Sequence, residues 1–64
     1  MAQDYAYRIG RQARIDHLTL HDANVRLAYK LNWTRREQYD DALLDACERG
    51  WRDMDTIMNP EIDA

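Results

Sequence analysis

Residues 34–50 read TRREQYDDALLDACERG, and this stretch decides the fold. Thr34 and Glu37 have the T-x-x-E spacing of a capping box: the Thr hydroxyl accepts from the Glu amide while the Glu carboxylate reaches back to the Thr amide. Tyr39, Ala42, Leu43 and Ala46 recur at i, i+3, i+4 and i+7 and predict one apolar face. Arg49 suits the negative end of a helix dipole. Gly50 suits a C′ position, with Trp51 as the apolar contact of a Schellman ending. Start, face and stop agree on a helix over about 35–50.

Upstream, residues 20–31 carry two patterns. As a helix, Thr19 caps, Asp22 stands at N3, and Leu20, Ala23, Leu27 and Leu31 line one face. As a strand, Val25, Leu27, Tyr29, Leu31 and Trp33 alternate with Arg26, Ala28, Lys30 and Asn32. The helix is preferred, because Leu, Ala, Arg and Lys favour it and a cap is present. A first helix over about 4–16 has a weak stripe of Tyr5, Ile9, Gln12 and Ile15, and Gly10 costs it about 1 kcal/mol relative to Ala. Gly10 and Gly50 are far apart and the only proline is Pro60, so few breakers interrupt the body of the chain. The expectation is an all-α, three-helix arrangement (about 4–16, 20–31 and 35–50) with a short acidic tail, frayed over 59–64. The alternative is an α+β fold, with a hairpin over 15–33 packed on the 35–50 helix.

At 64 residues the chain is long enough for one small domain, spanning 1–64. A domain of that size buries only about 60% of its unfolded surface, so its core is thin. One cysteine, Cys47, excludes an intrachain disulfide and suits a reducing cytosol. No apolar run of about 18 residues spans a bilayer. The N-terminus lacks the basic and apolar regions of a secretory signal, so a cytoplasmic location is expected.

Charge is divided along the chain. Residues 1–36 carry seven Lys or Arg against three Asp, whereas residues 37–64 carry Arg49 and Arg52 against nine Asp or Glu. Such asymmetry points to a charged partner or to self-association. In the helix over 35–50, Glu37, Asp41, Asp45 and Glu48 form an acidic stripe, extended by Asp40, with no interleaved lysine. These residues and Trp51 are the candidate partner-binding set, since Trp is common among binding hot spots. The expected function is a non-enzymatic modulator or inhibitor. Its acidic face would dock on a basic, nucleic-acid-handling surface of a larger protein. Its size suits a bacterial or phage accessory protein, and homodimerisation is a further expectation.

Arg8, Arg11 and Arg14 recur every third residue beside Tyr5 and Tyr7, a composition that phosphate-binding surfaces use. Residues 27–36 resemble a helix-turn-helix motif: Ala28, Leu31 and Asn32 occupy its small, apolar and turn positions. The resemblance implies a DNA-binding regulator in which Arg35 and Arg36 open the recognition helix. The apolar residues after the turn fall one place late, and the following helix is acidic. Separately, Ala6-Tyr7-x-x-Gly10-x-x-Ala13-Arg14 and Gly50-Trp51-Arg52-Asp53 resemble the two ends of ribosome-modulation-factor-type proteins, joined by a longer, unmatched middle. That resemblance implies ribosomal RNA as partner, which the acidic half opposes. His17 and His21 have i, i+4 spacing but no further soft ligand besides Cys47, so surface or capping roles are expected and no metal or cofactor. Asp40 and Asp41 diverge by about 100° on a helix, so they form no acid/base dyad.

Overall fold

The computed structural model describes residues 2–59. These form three helices, α1 (Ala2–Ile15), α2 (Leu20–Lys30) and α3 (Asp41–Met58), with a 3₁₀ turn at Arg36–Gln38 before α3. The fold is the small all-α arrangement, and no strand occurs among the described residues, so the hairpin over 15–33 does not form. Residues 25–30 of the alternating stretch lie inside α2, and Leu31–Trp33 form the turn that ends it. Thr19 caps α2 by accepting from the Asp22 amide at 3.1 Å, which fixes the helix start. Residues 60–64, and with them most of the expected frayed tail, lie outside the described residues.

The third helix departs from its expected bounds at both ends. Thr34 and Glu37 do not form a capping box. The Gln38 carboxamide oxygen takes that reach-back role, accepting from the Thr34 amide at 2.7 Å and the Arg35 amide at 3.0 Å. This closes a 3₁₀ turn, and α3 starts after it on an Asp40 cap whose carboxylate accepts from the Ala42 amide. At the other end α3 runs through Gly50 to Met58. The buried face is also rotated: Ala46, Cys47, Gly50 and Met54 are buried, whereas Ala42 and Tyr39 are exposed.

Both inter-helix turns use Schellman endings without glycine. His17 (φ 64°) and Asn32 (φ 58°) occupy the left-handed C′ positions of α1 and α2. At the first, the Leu18 amide donates to the Ala13 carbonyl and the His17 amide to that of Arg14. At the second, the Trp33 amide donates to Ala28 and the Asn32 amide to Tyr29. Trp33 then stacks on Tyr39, with ring centroids 5.2 Å apart, and closes the connection into α3.

The core is built of small side chains. Ala6, Ala13, Ala23, Ala46, Cys47 and Leu27 are almost completely buried, with Ile9, Leu18, Leu43 and Trp51 packed around them. Two glycines explain how α1 and α3 approach so closely. A Cβ on Gly10 would overlap the Cys47 carbonyl, and one on Gly50 would overlap the Tyr7 carbonyl. Gly50 is therefore a packing residue inside α3 rather than its stop signal. The segments around Gly10 and Gly50, far apart in sequence, lie against each other.

Candidate functional site

The acidic residues of the 37–55 region separate into two groups. Along the body of α3 each has a partner. Asp45 pairs with Arg49 at 3.3 Å and Glu48 with Arg52 at 2.7 Å, both at i, i+4. Asp53 accepts from the Tyr7 hydroxyl, and Asp55 pairs with Arg14 at 2.7 Å. The relief that lysines would provide thus comes from arginines placed four residues later. At the start of α3, Glu37, Asp40 and Asp41 are exposed and have no basic partner within ion-pair distance among the described residues. Glu37 lies in the 3₁₀ turn, so the continuous helical stripe of Glu37, Asp41, Asp45 and Glu48 is interrupted.

Trp51 is an internal strut. Its indole N–H donates to the Leu18 carbonyl at 2.9 Å, and the Arg14 guanidinium lies 5.8 Å from the ring centroid. Arg14 therefore ties the late turns of α1 and α3 together, while Arg8 and Arg11 stay exposed. The basic stripe is divided accordingly. Arg35 and Arg36 flank and open the 3₁₀ turn, and ten residues (31–40) separate α2 from α3. A helix-turn-helix joins its helices by three or four residues, so neither arginine opens a recognition helix here.

Beside the unpaired carboxylates is a cleft of about 250 Å³ lined by His21, Asn24, Val25, Tyr39 and Leu44. The Asn24 Oδ1 atom is buried and accepts no hydrogen bond among the described residues. A buried amide oxygen without a donor carries a desolvation cost. The cleft is missed from the sequence because the apolar face of residues 20–31 runs through Leu20, Ala23, Leu27 and Leu31, which leaves His21 and Val25 unassigned. The signal was the i, i+4, i+8 spacing of His21, Val25 and Tyr29 on one helix.

Other chemistry is limited by placement. Burial pushes the Cys47 thiol up to about 11, and its Sγ lies 3.7 Å from the Ala23 carbonyl, so it is poorly suited to act as a nucleophile. His17 sits in the turn and His21 in α2, so the two do not share a helix. Among the described residues no three His, Cys, Asp or Glu are grouped to hold a metal, and no helix is long and apolar enough to cross a membrane. No protein-family model, curated protein or solved structure matches the chain.

Proposed function

We propose that this chain is a small, non-enzymatic binding protein that docks the acidic start of α3 on a basic surface of a larger protein, masking that surface. The observation that carries the reading is the contrast along the 37–55 region. Asp45, Glu48 and Asp55 pair with arginines and Asp53 accepts from the Tyr7 hydroxyl, whereas among the described residues Glu37, Asp40 and Asp41 pair with no basic side chain, Asp40 serving only as the cap of α3. Three exposed carboxylates within five residues give a local negative field that speeds encounter with a basic patch and loses strength with salt. A protein that binds nucleic acid presents such a patch, which makes the chain a modulator of its partner.

The test is capture from an extract of the native host, with bound proteins identified by mass spectrometry. Wild type should retain a basic protein, and added salt should release it. A variant carrying Glu37→Gln, Asp40→Asn and Asp41→Asn should lose that protein and keep its fold, since Asn caps a helix about as well as Asp. Undiminished capture by the variant would overturn the reading. So would steeply salt-dependent binding of duplex DNA by the wild type, which would favour the regulator.

A further inference from the structure

We propose that the exposed face of α2 is a self-association surface, on which two copies of the chain pair antiparallel and each inserts Tyr29 into the His21–Leu44 cleft of the other. His21, Val25 and Tyr29 stand at i, i+4 and i+8 and form one ridge. Tyr29 is 85% exposed and Val25 53%, and Tyr29 is the most exposed large apolar residue of the described chain. An i±4 ridge is the element that packs between the matching ridges of a second helix, in the commonest class of helix pair.

The spacing makes this ridge self-complementary. Tyr29 lies about 6 Å along the axis from Val25 in one direction, and His21 lies about 6 Å in the other. A two-fold axis near Val25 therefore sets each Tyr29 level with the other copy's His21, at the mouth of the cleft. The cleft is walled by Val25, Tyr39 and Leu44 and has room for a side chain, since about 250 Å³ is several times the roughly 30 Å³ share of a water molecule. A phenol brings an apolar ring that suits those walls.

Charge selects the same arrangement. Asp22 lies at the start of α2 and Lys30 at its end, and neither has an ion-pair partner among the described residues. Antiparallel pairing brings Lys30 of each copy to Asp22 of the other, twice per dimer. A thin, alanine-rich core also gains more from added burial than a large domain does. The surface adjoins the Glu37–Asp41 patch at Tyr39, but its test reads the oligomeric state of the chain and not capture of a basic protein, so the two readings fail separately.

Sedimentation equilibrium of the full chain, from about 10 μM to about 1 mM, reads the association directly. Wild type should pass from monomer to dimer across that range. Val25→Glu and Tyr29→Ala, both at exposed positions, should keep the helical circular dichroism and remain monomeric. Asp22→Lys and Lys30→Asp should each weaken association by about two- to fivefold, and the double exchange should restore it. A wild type that stays monomeric at the highest concentration would overturn the proposal. Dimerisation of Val25→Glu or Tyr29→Ala at wild-type strength would do the same, as would failure of the double exchange to recover.

Discussion

Gly10 faces the carbonyl of Cys47 so closely that no side chain fits between them, and Gly50 has the same relation to Tyr7. Helix propensity alone says that Gly→Ala at either position should add about 1 kcal/mol. The new methyl would meet backbone, which cannot rotate away as a flexible side chain does, so α1 and α3 must separate along the seam. Overpacking of this kind typically costs about 1–3 kcal/mol, occasionally more. The expected outcome is a net loss of up to about 2 kcal/mol for Gly10→Ala and for Gly50→Ala, measured by urea unfolding. Because both open one seam, the double variant should lose less than the sum. A gain in stability would mean that the helices stand further apart in solution.

His17 holds a left-handed conformation (φ 64°) where glycine is the usual residue. Its backbone bonds require that conformation, since the Leu18 amide must reach the Ala13 carbonyl across it. A non-glycine residue there costs about 1–2 kcal/mol. His17→Gly should therefore raise stability by up to about 1 kcal/mol, the flexibility of glycine in the unfolded chain offsetting part of the gain. Thermal unfolding of the two proteins side by side reads the difference, and an unchanged or lower midpoint for His17→Gly would mean that the left-handed turn carries no strain.

Much of this architecture is legible in the sequence, and the exceptions have physical causes. The Thr19 cap and the Leu27 face identify α2, because a local hydrogen bond and a core contact agree. The 34–37 capping box does not form because Gln38, one place later, captures the Thr34 amide meant for Glu37, together with the Arg35 amide. Gly50 read as a stop because local rules know glycine as an ender, whereas its role depends on Tyr7, 43 positions earlier. The acidic residues were legible as a group. Which of them lack partners was not, because Arg14 and Tyr7 reach Asp55 and Asp53 only through the tertiary fold.

Asn24 offers a test of the cleft without a partner. Its Oδ1 is buried and unsatisfied. Asn24→Ala removes that acceptor and places the best helix former in α2. Both effects act in one direction, so the monomer should gain about 1 kcal/mol. Chemical denaturation at low micromolar concentration keeps self-association out of the measurement. A loss of stability would show that the amide is bonded in solution, through ordered water in the cleft.

Asp16 joins α1 to α2 by accepting from the Arg26 guanidinium at 2.7 Å and from the Gln12 side chain at 3.1 Å. The Arg26 hydrogen bond, then that of Gln12, hold its carboxyl below the usual carboxylate range. The folded chain thus binds this proton more weakly than the unfolded chain. The resulting stability is present above the ordinary carboxylate pKa, near 4, and is lost as pH falls through the lower folded value. Asp16→Asn cannot titrate, so its stability should fall less steeply than that of wild type as pH drops below about 4. Thermal midpoints collected across the acid range, at low and high salt, compare the two slopes. Identical slopes would mean that Arg26 does not hold Asp16 in solution, and the α1–α2 turn would then depend on its Schellman bonds alone.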